Sequence, residues 1–133
     1  MAGDILGRLS SRESFVRCYA RLHTLYSSYR PATLLLDTGA TNTIINAKMY
    51  GNVQAPRIEA VSGPGIVDNA LRLRVDLEIG GRFLFSQPVS VMNLDDLPKR
   101  LGVQFDGLLG QDILRQFPSI RINYRSPVVE LEK

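Results

Sequence analysis

The residues best suited to chemistry lie in one short stretch in the first third of the chain. Asp37 directly follows the apolar run 34–36, and the small residues Thr38 and Gly39 come next, before a second apolar pair at 44–45. Apolar runs of this length predict short buried strands, and the small residues between them predict a tight loop. Burial disfavours the charged form of a carboxylate, so we expect Asp37 to ionise reluctantly or to have a partner.

The same three residues, Asp37-Thr38-Gly39, also suit an ordinary turn. An aspartate at the start of a turn accepts hydrogen bonds from its own backbone, and a glycine at the end tolerates positive φ. The tripeptide alone is therefore only a hypothesis, and the residues around it must decide between the two interpretations.

Two motifs together resemble a known family. The leucines before the tripeptide and Ala40-Thr41-Asn42-Thr43-Ile44-Ile45 after it resemble the active-site loop of the aspartic proteases, specifically the single-domain retropepsins of retroviral type. Later, Phe105-Asp106-Gly107-Leu108-Leu109-Gly110 resembles the strand of two apolar residues and a glycine that passes behind that loop. The next four residues, 111–114, resemble the short helix that follows it. The resemblance covers about residues 15 to 132.

The resemblance implies a role for each residue of the two motifs. Asp37 is the catalytic residue, Thr38 hydrogen-bonds across a dimer axis, and Gly39 permits the turn and the close approach of a substrate backbone. Ala40 belongs to the same supporting loop. The residues implied to pack behind the loop are Leu108, Leu109 and Gly110.

Peptide hydrolysis by carboxylates needs two of them, one to take a proton from water and one to hydrogen-bond to the carbonyl oxygen. The chain has one Asp-Thr-Gly, so the second Asp37 must come from a second copy related by a twofold axis. We therefore expect a homodimer that binds an extended peptide or protein substrate partly through main-chain hydrogen bonds. This chemistry needs no metal and no organic cofactor.

A glycine-rich tip follows an extended stretch at 57–62. Gly63, Pro64, Gly65 and Ile66 predict a sharply turned hairpin. One interpretation is a simple surface hairpin. In the resembling family, a glycine-rich hairpin at this place is the flap that closes over the substrate, and the position and composition favour the flap.

The rest of the chain predicts short strands. Apolar and polar residues alternate over 15–23 and 71–79, and Gly80-Gly81 predicts a hairpin into a strand at 82–85, with a further strand entered at Pro88. A turn is expected from Thr24 to Arg30, and a short helix from Gln111 to Phe117. The predicted fold class is all-β, a small closed β-barrel-like retropepsin (acid protease) fold with one short helix near the C-terminus. We expect an N-terminal arm at 1–14 and a protease domain at 15–133.

Other candidates for chemistry are weaker. His23 is the only histidine and lies on the polar face near a strand end, so a surface position is expected. Asp95 and Asp96 have no further ligands at a recognisable spacing and are interpreted as turn or cap residues. Asp106 precedes the apolar motif and is given a structural role. Cys18, the only cysteine, excludes an internal disulfide and a cysteine-based metal site.

Composition bounds the partners. The chain has 133 residues, 44% of them hydrophobic, and a net charge of +3 with scattered arginines, so we expect one domain and no nucleic-acid partner. No stretch is long enough for a membrane span, and the lone Cys18 permits a reducing compartment, so a soluble, cytoplasmic chain is expected. Two other functions stay open: a retropepsin-fold dimerisation or peptide-binding module with little or no activity, and a basic nucleic-acid-binding β domain.

Overall fold

The structure, a computed structural model, describes residues 16–51, 71–123 and 128–132. The predicted arm at 1–14 and the predicted flap residues Gly63, Pro64, Gly65 and Ile66 lie outside the described residues. The same holds for the extended stretch at 57–62. These predictions stay predictions.

Six strands close into a barrel. They belong to the eight strands of the described residues, which are β1 (Arg17–Thr24), β2 (Ser27–Leu36), β3 (Ile44–Asn46), β4 (Leu71–Ile79), β5 (Arg82–Met92), β6 (Gly107–Leu109), β7 (Ser119–Asn123) and β8 (Val128–Glu132). Neighbours follow the order β2-β6-β3-β5-β4-β1, and pairing of β1 with β2 completes the ring. Strand β8 joins the outside of this ring through β1, and β7 pairs with β8. The predicted all-β closed barrel is confirmed.

The first hairpin is longer than the sequence predicted. Strand β1 continues to Thr24 and β2 begins at Ser27, so the turn contains only Leu25 and Tyr26. The predicted turn over residues 24–30 is therefore wrong in extent. Thr24 gives a physical reason, because its hydroxyl accepts a hydrogen bond from the Tyr26 N–H at 3.1 Å and donates to the Tyr50 carbonyl at 2.9 Å.

The second hairpin forms where the two glycines predicted it. Gly80 and Gly81 have φ of 59° and 84°, the positive values that a tight two-residue hairpin turn requires. Strand β5 runs through Pro88 rather than beginning there. The pairing of β4 with β5 shifts register between Val75 and Leu77, and Ser86 adopts φ of 53° near the same irregularity.

The helices are short. They are α1 (Ala47–Tyr50), α2 (Leu97–Leu101) and α3 (Gln111–Leu114). Helix α3 is the one the sequence predicted, although it ends at Leu114 instead of Phe117. The other two are single helical turns. Within the described ranges, no helix has the length and apolar character needed to cross a membrane.

Two hydrophobic clusters fix the interior, and β6 contributes to both. Leu109 packs in the larger cluster with residues such as Leu22, Leu34 and Leu77. Leu108 packs in the smaller one. Burying a leucine side chain stabilises a fold by roughly 1.5–3 kcal/mol. Strand β6 is therefore packed on both faces, so its position and that of the chain segment at its end are well fixed.

Candidate active site

The strand order forces one loop to cross over β6. Strand β6 lies between β2 and β3, parallel to β2 with Leu36 opposite Leu109, and antiparallel to β3 with Ile44 opposite Leu108. Strands β2 and β3 are consecutive in sequence, so the connection at 37–43 must bridge the end of β6. This connection carries Asp37-Thr38-Gly39.

Asp37 lies at the point where β2 ends and the loop begins, with only 3% of its surface exposed. Its N–H donates to the Leu109 carbonyl at 2.9 Å, which continues the pairing with β6 by one residue. Its own carbonyl accepts the Ala40 N–H at 3.0 Å and closes a four-residue turn. Thr38 and Gly39, the central residues of that turn, are exposed, and Ala40 is buried. The predicted tight loop is confirmed.

The beginning of α3 holds the loop from the other side. The Gln111 N–H donates to the Ala40 carbonyl at 2.9 Å, and the Asp112 N–H donates to the Thr41 carbonyl at 3.1 Å. The first N–H groups of a helix have no partner within the helix, so the loop carbonyls satisfy them. The Gln111 side chain adds a third bond, from its amide nitrogen to the Thr38 carbonyl at 2.9 Å.

The far end of the loop is fixed by a cluster that we name the loop cluster, Thr43, Gly110 and Asp112. Thr43 is fully buried, and its N–H lies 3.0 Å from both carboxylate oxygens of Asp112. The Thr43 hydroxyl donates to Asp112 at 2.7 Å and accepts the Gly110 N–H at 3.0 Å. The Ile113 N–H also donates to Asp112, at 2.9 Å. The sequence placed residue 112 only within the predicted helix and gave no sign of this role.

Glycine is required at two positions, Gly110 beneath the loop and Gly107 at the start of β6. A methyl group on Gly110 would lie 2.7 Å from the Asn42 carbonyl carbon and 3.0 Å from the Ala40 oxygen. A methyl group on Gly107 would overlap the Ile44 carbonyl oxygen. Both contacts are with backbone, which cannot move aside as a flexible side chain can. The apolar-apolar-glycine motif therefore has a steric reason here: its glycine lets the loop rest directly on the strand.

Asp106 has the structural role that the sequence predicted. Its carboxylate accepts the Thr33 N–H at 2.8 Å, and its own N–H donates to the Thr33 carbonyl at 2.7 Å. Asp106 thus extends the pairing of β2 with β6 toward the strand end away from Asp37. Its hydrogen bonds are with the Thr33 backbone, at the end of the β2–β6 pairing that is farther from the loop.

The only histidine lies in a different part of the molecule. His23 Nδ1 is 2.9 Å from Asp76 Oδ2, and the imidazole stacks on the Tyr29 ring with centroids 5.1 Å apart. Strand β1 begins beside Asp37, since Arg17 pairs with Leu35, and His23 is six residues farther along, roughly 20 Å at strand spacing. A cleft of about 620 Å³ lies beside this pair, between β1, β4 and α1, and no residue of 37–43 lines it.

The remaining candidates do not form a rival site in the described part of the chain. Cys18 is buried, and burial raises the pKa of its thiol to about 12, so it holds almost no thiolate at neutral pH. Asp95 accepts a hydrogen bond from Asn46 at 3.4 Å and lies 3.7 Å from the Lys48 ammonium. Within the described ranges, no three His, Cys, Asp or Glu side chains are grouped to hold a metal ion.

Neither a protein-family model nor a curated protein matches this chain. A retropepsin-like aspartic protease from Rickettsia conorii is similar in structure, with a TM-score of 0.50, 17% identity, and coverage of 80% of this chain and 76% of that one. The retroviral protease-like domain of Ddi1 from Leishmania major has a TM-score of 0.46, 16% identity, and coverage of 87% of both chains.

A third solved structure, EIAV protease complexed with the inhibitor HBY-793, has a TM-score of 0.35 and 17% identity, and covers 68% of this chain and 91% of that one. Of these three structures, the Rickettsia protease has the highest TM-score. At 17% identity that similarity concerns the fold. Together with the closed barrel and the loop that bridges β6, it shows that the chain has a retropepsin-like fold.

Proposed function

We propose that the chain is an aspartic endopeptidase that acts as a homodimer, with Asp37 as its catalytic residue. One observation carries the proposal: Asp37 is almost fully buried at a strand end, in a loop whose backbone is bonded to β6 and to α3. A carboxylate in such a position is preorganised, because the loop does not have to be ordered when a substrate binds. The neighbouring Thr38 and Gly39 are exposed and open to a partner.

The mechanism follows from the need for a second acid. Two copies related by a twofold axis bring two Asp37 carboxylates together, and two carboxylates in contact hold one proton between them over a range of pH. The ionised carboxylate takes a proton from a water molecule, which attacks the peptide carbonyl carbon. The protonated carboxylate hydrogen-bonds to the carbonyl oxygen and then transfers its proton. In this proposal Thr38 bonds across the axis and Gly39 leaves room for the substrate backbone.

The remaining assignments extend the same proposal. Leu108, Leu109 and Gly110 support the loop from behind, which agrees with the burial of both leucines and the close approach at Gly110. An extended peptide or protein is the proposed substrate. Residues 63–66 are proposed as the flap, residues 1–14 as an arm and residues 15–133 as the protease domain, on the sequence resemblance alone.

The test is cleavage of an unfolded protein substrate, such as reduced casein, from about pH 3 to about pH 7. We compare the native chain with Asp37→Asn, and use Asp95→Asn as the matched control because Asp95 is a half-exposed aspartate outside the loop. Asp37→Asn is expected to lower the rate at least about a hundredfold, whereas Asp95→Asn keeps native activity. Equal cleavage by all three proteins would show that Asp37 is not the catalytic residue.

A mixing experiment tests the dimer separately. Native chain is mixed with Asp37→Asn chain in equal amounts and allowed to exchange subunits. Random pairing leaves about a quarter of the dimers with two native copies, so total activity falls to about half of what independent native chains would give. Activity proportional to the native fraction would contradict a shared site. A folded, dimeric native chain with no activity would instead favour the peptide-binding module.

A further inference from the structure

Gln111 makes an unusual pair of contacts with the loop that carries Asp37. Its backbone N–H donates to the Ala40 carbonyl at 2.9 Å, and its side-chain amide donates to the Thr38 carbonyl at 2.9 Å. We propose that Gln111 is a positioning residue for Asp37. Its side chain fixes the orientation of the turn that begins at Asp37. This inference rests on the proposed function of Asp37.

The two halves of the loop are held differently. Its second half ends at the fully buried Thr43, which the Asp112 carboxylate binds, and the Asp112 N–H binds the Thr41 carbonyl. Its first half contains two consecutive exposed residues, Thr38 and Gly39. The Gln111 side chain reaches into this exposed half, and it binds the peptide group that joins these two residues.

That peptide group is the one whose orientation matters for the acid. The Thr38 carbonyl belongs to the peptide plane one residue after Asp37, so rotation of this plane changes the backbone dihedrals of Thr38. The turn from Asp37 to Ala40 is closed by a single backbone bond. A second bond, from Gln111 to the centre of the turn, restricts the conformations that one bond leaves open.

Gln111 is itself well placed to act as a clamp. Its backbone carbonyl accepts the Arg115 N–H at 3.0 Å and the Arg115 side-chain Nε at 3.2 Å. Helix α3 begins at this residue, on the buried strand β6. The side chain therefore extends from a fixed backbone, and its amide and its N–H grip two carbonyls that lie two residues apart in the loop.

The effect is expected in the rate rather than in folding. A neutral hydrogen bond at the surface contributes little to net stability, and loss of its full value in the transition state would slow the reaction about two- to tenfold. Loss of the Gln111 side-chain hydrogen bond should change the free energy of unfolding no more than loss of a similar surface hydrogen bond elsewhere in the chain. A group that acts on the geometry of Asp37 should lower kcat and leave KM almost unchanged.

The first experiment replaces the amide with an isosteric side chain that cannot donate. Gln111→Met is compared with Gln87→Met, because the Gln87 amide also donates to a backbone carbonyl, that of Phe85, at 2.9 Å and outside the loop. Gln111→Met is expected to lower kcat about two- to tenfold with KM and dimerisation unchanged, whereas Gln87→Met keeps native kinetics. Equal kinetics for the two variants and the native chain would overturn the inference.

A second variant asks whether the donor itself is responsible. Gln111→Glu carries a carboxyl group that donates when protonated and only accepts when ionised. Its activity relative to the native chain at the same pH is expected to recover as the pH falls below about 4.3, the ordinary value for glutamate. Gln111→Met has no such group, so its relative activity should not recover. A constant ratio for Gln111→Glu across this range would contradict a role for the donated bond.

Amide hydrogen exchange separates this inference from the proposed function. Gln111→Met should speed exchange in the peptide that spans 37–42, and Gln87→Met should not. If the native chain cleaves substrate and Gln111→Met changes neither kcat nor exchange, the inference is wrong and the proposed function stands. If the native chain cleaves nothing, both fall, even where faster exchange shows that Gln111 holds the loop.

Discussion

Two polar clusters that share no residue are built on the same chemistry. In the loop cluster, Asp112 accepts a backbone N–H from Thr43. In the second, which we name the outer cluster (His23, Tyr29, Asp76 and Ser86), Asp76 accepts the Ser86 N–H at 2.7 Å and lies 2.9 Å from His23. Asp112 joins α3 to the end of the loop, and Asp76 joins β4 to β1, so each carboxylate connects segments that are far apart in sequence.

The clusters differ in their exposure to water. Asp112 and Asp76 are both half-buried, but the groups that they bind differ: Thr43 is fully buried, whereas Ser86 is exposed and the His23 side chain is 41% exposed. A buried group that loses its hydrogen-bond partner keeps the full cost of its desolvation, but an exposed group regains water. We infer that similar hydrogen bonds in the two clusters differ several-fold in their contribution to the free energy of unfolding.

The largest effect is expected at Asp112. Asp112→Ala removes the acceptor for the Thr43 N–H, the Thr43 hydroxyl and the Ile113 N–H, so it should lower the free energy of unfolding by about 3–4 kcal/mol. Asp112→Asn keeps one acceptor oxygen and should cost about half as much. Urea unfolding at neutral pH measures both. Asp76→Ala is the control, and a cost equal to that of Asp112→Ala would refute the burial argument.

A smaller effect is expected for a methyl group beneath the loop. Gly110→Ala forces the backbone of Asn42 away from β6 and should lower the free energy of unfolding by about 2–3 kcal/mol. It should also abolish cleavage, because the shift is transmitted to the loop that carries Asp37. The control is Gly102→Ala, where no atom lies within 4 Å of the added methyl group.

At Gly102, the positive φ of 70° makes alanine strained by about 1 kcal/mol, with no effect expected on cleavage. Thermal unfolding and casein hydrolysis of the two variants distinguish steric contact from backbone strain. Equal losses of activity would show that general destabilisation, rather than displacement of the loop, is responsible.

The sequence predicts those features that leave a local pattern of apolar residues. The buried strands on both sides of Asp37 consist of continuous apolar residues, and the motif at 105–110 also contains an apolar pair. These runs predict the barrel strands and the loop between them. The hairpin at Gly80 is predictable for another local reason, the need for positive φ. In contrast, residues 27–30 of β2 are half-buried or exposed and precede Pro31, and the sequence predicted them as part of a turn.

The contacts that the sequence does not predict join distant residues. Thr43 and Asp112 are 69 positions apart, and His23 and Asp76 are 53 apart. A local pattern indicates that a residue is polar, but the register of strands decides which residue faces it. Strand pairing places His23 opposite Asp76, and the parallel pairing of β2 with β6 brings α3 to the loop. Both clusters are therefore products of topology.

The smallest predicted effect concerns the pH dependence of the outer cluster. The hydrogen bond from the Ser86 N–H is the main cause that lowers the pKa of Asp76 below its ordinary value of 3.8, and His23 acts in the same direction, while partial burial opposes both. A carboxyl group whose pKa is lower in the folded chain stabilises the fold above its unfolded pKa. That stabilisation is lost as the pH falls through the lower, folded value.

Asp76→Asn should therefore be less stable than the native chain at pH 7, by under about 1 kcal/mol because the group is partly exposed. The difference should shrink as the pH falls below 3.8, where the native carboxyl group becomes neutral. Urea unfolding of both proteins at neutral and at acidic pH measures it, with Asp95→Asn as the control for a half-exposed aspartate. A difference of several kcal/mol at pH 7 would mean that the outer cluster is as effective as the loop cluster, and exposure would then not explain why the two differ.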